Sequence, residues 1–258
     1  MEKLMKKIQL SAPDISESEI KVVTSVLKSG WYTNGPENEK LEERFKQLTN
    51  SKFALSLNSC TSALELAIKA NEITGEVIVP AFTWVSTANC VVTSGAKPIF
   101  CDVDQISKCV TAEYIERVIT PNTEAVIVVH YGGATAEMDT ITKLCAKKNI
   151  ILIEDCAETI GGLYKGKPTG SFGIGCFSFF PTKNMTTGEG GMLTSSDKVF
   201  HEKAKQLSAH GLMTSTFERE DLNLKPWERI AVQAGHNYRL SNILAAMGVI
   251  QFDKLNDM

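Results

Sequence analysis

A chain of 258 residues, 43% apolar and 22% charged, is long enough to bury a sizeable core and has the balance of an ordinary globular protein. Its net charge of −3 and pI near 5.9 exclude the basic footprint of a nucleic-acid binder, and no segment is long and apolar enough to span a bilayer. Seven cysteines without a C-x-x-C pair and four scattered histidines fit buried thiols of a reducing cytosol, not a disulfide framework or a metal site. The opening Met1-Glu-Lys-Leu-Met-Lys-Lys-Ile8 lacks the apolar core of a secretion signal, so the expected location is cytoplasmic.

From the N terminus, Ser16 is a plausible N-cap, Ile20, Val23, Val26 and Leu27 recur at helical spacing, and Gly30 stops the helix. Residues 31–36 read as a turn-rich loop, and a second amphipathic helix follows through Leu41, Phe45 and Leu48. Strands are then expected at 53–57, 76–79, 98–103, 125–129 and 150–154, with helices at 61–70, 85–93, 111–119 and 137–148 between them. Near-continuous apolar strands alternating with helices indicate a largely parallel sheet covered on both faces. Beyond it the pattern changes. Residues 161–175 are Gly-rich and irregular, short strands at 176–180 and 191–194 flank a loop, and helices are expected at 197–209 and 240–255. The polar stretch 214–236, with Pro226, reads as an extended loop serving an active site or an interface.

The chemistry concentrates at strand ends. Lys183 lies among Phe, Pro and Gly in Phe177-Ser-Phe-Phe-Pro-Thr-Lys-Asn184, poorly placed for a solvated surface charge and well placed for a pocket that frees an amine to form a Schiff base. Asp155, 28 residues earlier, ends the apolar run Ile150-Ile-Leu-Ile-Glu154, where open α/β sheets bind ligands. An amine for an aldehyde and a carboxylate for a ring nitrogen are what a pyridoxal 5'-phosphate enzyme needs. A helix cap or a salt-bridged Asp is the competing reading of Asp155. Leu57-Asn-Ser-Cys-Thr61-Ser62 runs from a strand into a helix, as a phosphate cradle does and as a simple Ser/Thr cap also does. Ser178 offers another hydroxyl to the same phosphate or is a core serine. Trp84 is placed to stack on an aromatic cofactor or to fill the core, and His130 shares the rim or is a structural histidine.

Taken in order, these segments resemble the DegT/StrS-type sugar aminotransferases, fold-type-I pyridoxal-phosphate enzymes acting on nucleotide-linked keto sugars. The resemblance rests on Gly30-Trp31 with Gly35-Pro36, Asn58-Ser-Cys-Thr-Ser-Ala-Leu64, Pro80-Ala-Phe-Thr-Trp-Val-Ser-Thr87 and His130-Tyr-Gly-Gly133. It continues through Glu154-Asp-Cys-Ala-Glu158, Gly170-Ser-Phe-Gly173, the lysine loop, Gly188-Glu-Gly-Gly191, His210-Gly-Leu212 and Asn237-Tyr-Arg-Leu240, and so covers essentially the whole chain. It implies the fold-type-I large domain, a mostly parallel sheet sandwiched by helices, over residues 36–258, preceded by an N-terminal helix and loop over residues 1–35.

The resemblance implies Lys183 as the Schiff-base lysine and Asp155 as the partner of the pyridine nitrogen. Trp84 is then the stacking aromatic, Thr61, Ser62 and Ser178 bind the phosphate, and Glu158 lies near the phenolic oxygen. Asn237 reaches the phosphate of the other subunit's cofactor, which implies a homodimer with shared active sites. The implied reaction moves an amino group from L-glutamate to a nucleotide-linked keto sugar. Cys60 stands where most relatives carry Gly or Ala, and Glu158 replaces the commoner Gln or His, an acid seen in relatives resembling perosamine synthases. By the same resemblance the chain stops where relatives continue into a smaller C-terminal domain, so a truncated, non-catalytic or regulatory relative is the alternative. A sugar dehydratase of the same family carries His in place of the lysine, against Lys183 here, and a plain nucleotide-binding protein has no glycine-rich phosphate motif behind it.

Overall fold

The computed structural model describes residues 11–221, 225, 227 and 229–255. The first ten residues, Pro226 and the last three, on which sequence expectations also fall, lie outside the described residues. Helix α1 (Glu17–Ser29) begins with a capping box in which Ser16 and Glu19 satisfy each other's ends, and Gly30 closes it in the left-handed region at φ 80°. Helix α2 (Pro36–Thr49) starts with Pro at its first position, where no donor is lost.

Strand β1 (Phe53–Leu57) feeds α3 (Cys60–Ala70), and β2 (Glu76–Pro80), α4 (Ser86–Thr93), β3 (Lys97–Cys101), α5 (Ala112–Val118), β4 (Thr123–Val129), α6 (Met138–Lys148) and β5 (Ile151–Asp155) continue the alternation. A short hairpin, β6 (Leu163–Tyr164) with β7 (Lys167–Pro168), precedes β8 (Ile174–Ser178), β9 (Gly191–Ser195), α7 (Lys198–Ser208), α8 (Thr216–Asp221) and α9 (Asn242–Asp253). Seven strands form one sheet in the order β1-β9-β8-β5-β4-β2-β3, parallel except that β9 runs against both its neighbours.

Helices cover both faces. On one, α3, α4 and α7 pack over Leu57, Val77, Ile127, Ile153, Cys176 and Leu193. On the other, α5 and α6 cover Ile78, Val126, Val128 and Leu152, while Leu41 and Phe45 of α2 and Ala245 and Val249 of α9 pack with Phe177 and Met192. Within the seven-stranded sheet every strand is largely buried on both sides except the edge strand β3, which explains why the strands read as apolar runs without alternation.

Two expectations need correction. The stretch 214–236 holds a helix, α8, started by Ser215, whose hydroxyl accepts from the Glu218 amide at 3.1 Å while the Glu218 carboxylate accepts from the Ser215 amide at 2.8 Å. The irregular stretch 161–175 holds the β6–β7 hairpin, turned by Lys165 and Gly166, both at positive φ.

Candidate active site

The carboxyl ends of β1, β8, β5, β4 and β2 lie along one rim of the sheet, and antiparallel β9 brings its first residue to the same rim. Register fixes the order there. Leu57 pairs with Gly191, Gly191 with Ser178, Cys176 with Asp155, and Asp155 with Val129. Side chains alternate along a strand. Ile153 and Cys176 point into the α3–α4–α7 layer and Leu152 into the α5–α6 layer. Asp155 and Ser178, each two residues further on, therefore face the α3 side, and Glu154 faces the other.

Glu154 shows why the second acid of the pair is structural. It is fully buried and accepts the amides of Gly170, Phe172 and Gly173 at 2.8–2.9 Å, together with His130 Nε2 at 3.2 Å. Ala136 N–H donates to His130 Nδ1 at 3.2 Å, so the ring proton sits on Nε2. His130 is thus a core histidine stapling two loops. Cys156 stands beside this pair, but every lone-pair direction of the Glu154 carboxylate already has a donor, which leaves none for a cation.

Asp155 is 5% exposed. Its Oδ1 accepts the Ala157 amide at 3.1 Å and faces the Cys60 thiol at 3.9 Å, and its Oδ2 accepts the Thr87 hydroxyl at 3.0 Å. Burial raises its carboxyl above the usual carboxylate range, while the Ala157 amide, the Thr87 hydroxyl and the nearby Lys183 and His130 act in the opposite direction. Burial and the Asp155 charge push the Cys60 thiol well up, so Cys60 stays protonated and serves as a donor. Asp155 is neither a helix cap nor one half of a salt bridge.

Lys183 is largely covered, and its amine lies 3.2 Å from Glu158 Oε1, whose other oxygen accepts the Gly132 amide at 2.7 Å. Its positive charge favours the ionised forms of both Asp155 and Cys60. Trp84 is 77% exposed, which removes the core reading and leaves its indole open to solvent in the segment that leads into α4.

The start of α3 is built as a cradle. Cys60 and Thr61 carry first-turn amides with no intrahelical acceptor. Ser59 caps Ser62 at 3.1 Å, and Ser62 directs its own hydroxyl to Asn58 Oδ1 at 2.7 Å. Ser62 therefore shapes the cradle from within, while exposed Thr61 is the hydroxyl open to a ligand. Ser178 reaches the same place through Gly191, whose Cα packs against Ser59 and Cys60 so closely that an added Cβ would lie 2.4 Å from the Ser59 carbonyl carbon. Asn237 is exposed, and its carbonyl lies 3.5 Å from Asn58 Nδ2.

An amine, a buried carboxylate and a helix N-terminus converging on the carboxyl rim of a mostly parallel sheet define the large domain of a fold-type-I aminotransferase. The family model that describes the DegT/DnrJ/EryC1/StrS aminotransferase family matches residues 13–258, and the chain belongs to that family. It is similar to the uncharacterized protein MJ1066 of Methanocaldococcus jannaschii, 41% identical over 249 residues, which are 95% of this chain and 64% of that protein. Among solved structures it resembles Spr1654 of Streptococcus pneumoniae in its PMP form, with TM-score 0.90, 31% identity, and coverage of 97% of this chain and 68% of the other. It also resembles Helicobacter pylori PseC, an aminotransferase of pseudoaminic acid biosynthesis, with TM-score 0.89, 30% identity, and coverage of 98% and 67%. The chain thus spans about two thirds of the length of the relatives it matches.

Proposed function

We propose that this chain binds pyridoxal 5'-phosphate and transfers an amino group from L-glutamate to the ketone of a nucleotide-linked sugar. The observation that carries this reading is the convergence of the Lys183 amine and the buried Asp155 carboxylate at one strand-end rim, beside an open helix N-terminus. The residues fit the group. Asp155 Oδ2 has one protein donor, Thr87, and so keeps acceptor capacity for a protonated ring nitrogen. The α3 amides, Thr61 and Ser178 suit a phosphate, with Ser62 bracing them through Asn58. Trp84 has an uncovered ring face for stacking.

When bound, the cofactor supplies an aldehyde for amines and a ring that withdraws electrons from the substrate carbon. Asp155 holds a proton at the ring nitrogen and so maintains that withdrawal. Lys183 would hold the group at its aldehyde carbon and would carry the proton to and from the substrate carbon. Glu158, fixed by the Gly132 amide, orients the free amine and would be the side chain serving the phenolic oxygen of the bound group. A second copy completes the site through Asn237 at the partner's phosphate.

Borohydride reduction of the loaded protein followed by peptide mapping should place the pyridoxyl adduct on Lys183. Lys183→Ala should abolish glutamate-dependent amination across a panel of nucleotide keto sugars. An adduct on Lys165 or Lys167, or retained transfer by Lys183→Ala, would refute the assignment.

A further inference from the structure

Asp155 is held from outside its own strand by a chain of two hydroxyls. Thr87 Oγ1 lies 3.0 Å from Asp155 Oδ2 and 2.9 Å from Thr83 Oγ1, and Thr87 is fully buried. An ionised carboxylate only accepts, so Thr87 donates to Asp155 and must accept from Thr83. The direction of the chain is therefore set, running Thr83 to Thr87 to Asp155, and each bond polarises the next. Thr83 is the residue before Trp84, and the Thr87 amide donates to the Trp84 carbonyl at 3.1 Å. One short segment thus carries both the exposed indole and the donor that orients the buried carboxylate.

We infer that Thr87, backed by Thr83, is the positioning residue that keeps the Asp155 carboxylate aimed into the site and ionised, and that it couples this carboxylate to the loop bearing Trp84. The inference rests on the cofactor reading above. The other titratable groups around Asp155 are Lys183, His130 and the thiols of Cys60, Cys90, Cys156 and Cys176. The thiols are all raised by burial and stay neutral, so they cannot take the place of the hydroxyl as a source of compensating charge. Without Thr87, the Oδ2 atom loses its protein donor and the carboxylate binds its proton about ten-fold more tightly.

The test compares Thr87→Val, which keeps the shape and loses the donor, with Thr87→Ser, which keeps the donor, and with Asp155→Asn. In the cofactor-free protein, the thermal midpoint of Thr87→Val should fall below wild type at pH 8 and approach it as the pH is lowered, because protonation relieves the unpartnered carboxylate. Thr87→Ser should retain most of the wild-type profile. In the protein loaded with pyridoxal phosphate, the pH titration of the bound-cofactor absorbance should shift in Thr87→Val and Asp155→Asn and return towards wild type in Thr87→Ser. Wild-type behaviour of Thr87→Val in both titrations, with Asp155→Asn shifted, overturns the inference and leaves the cofactor reading intact. An unshifted Asp155→Asn absorbance titration overturns the cofactor reading instead, while the cofactor-free comparison still decides the Thr87 contact.

Discussion

At Gly191 a single hydrogen atom decides whether the turn at the start of α3 can pack as it does. The start of β9 must pass between Leu57 and Ser178 and still lie against the first turn of α3. A Cβ there would fall 2.4 Å from the Ser59 carbonyl carbon and 2.6 Å from the Cys60 nitrogen, both main-chain atoms that cannot swing aside. Gly191→Ala should therefore push the cradle open, lowering stability by about 1–3 kcal/mol in denaturant titrations and weakening pyridoxal-phosphate binding about ten-fold by fluorescence. Unchanged binding would mean that the ligand does not use this turn. Lys183 and Asp155 were candidates in the sequence because one stands among Phe, Pro and Gly and the other ends an apolar strand, while Thr61 read equally well as part of a simple helix cap. Thr87 was not a candidate. A buried threonine looks like any core β-branched residue until the fold brings Asp155, 68 positions later, to its hydroxyl.

Helix α1 is attached through one carboxylate. Glu19 is 2% exposed and accepts from the Ser16 amide at 2.9 Å, Gln251 Nε2 at 2.8 Å and Lys254 Nζ at 2.7 Å, so it closes the α1 cap and ties α1 to α9 at once. Burial alone would raise its carboxyl, but the bonds from Lys254, Ser16 and Gln251 outweigh burial and hold it down at about 2. A depressed carboxyl contributes stability that is present above pH 4.5 and lost as pH falls towards 2. Glu19→Gln should cost about 2–3 kcal/mol at pH 7, and the gap should close as thermal melts are taken from pH 4.5 downwards. A gap that does not depend on pH would assign the effect to packing. The cap itself was legible, since Ser16 precedes a helical repeat. Its second duty was not, because Gln251 lies 232 residues away. The β-α alternation could be read because each buried strand is an uninterrupted apolar run. Helix α8 was missed although Ser215 and Glu218 spell a capping box, because the polar residues after it suggested loop throughout. The β6–β7 hairpin was missed because two-residue strands carry no periodicity.

For the whole molecule, the uncovered apolar surface decides how copies meet. That surface is not α9, since Leu240 is buried and Ile243, Leu244, Met247 and Ile250 are half-covered by the chain itself. One group of exposed apolar side chains lies on the arm between His210 and His236. Its stem pairs Leu212 with Ala231, with the Met213 amide bonded to the Ile230 carbonyl at 3.1 Å, and Met213, Trp227, Ile230 and Val232 are all exposed. Tyr238 then donates to Glu65 of α3 at 2.8 Å, and its carbonyl accepts the Asn58 amide at 2.8 Å, so the arm's base is fixed to the cradle that Asn237 adjoins. A fixed base with Met213, Trp227, Ile230 and Val232 exposed is suited to gripping a second copy, and a bare tryptophan at 76% exposure is the kind of anchor that dominates such contacts. The chain should therefore sediment as a homodimer. Trp227→Asp should raise the dimer dissociation constant at least about thirty-fold, a loss of about 2 kcal/mol, without lowering the melting temperature of the dilute protein. Because Asn237 is proposed to serve the partner's phosphate, the same substitution should weaken pyridoxal-phosphate binding in proportion to the monomer fraction, and raising the protein concentration should restore it. A wild-type chain that sediments as a stable monomer and still holds the cofactor tightly would rule out the shared site.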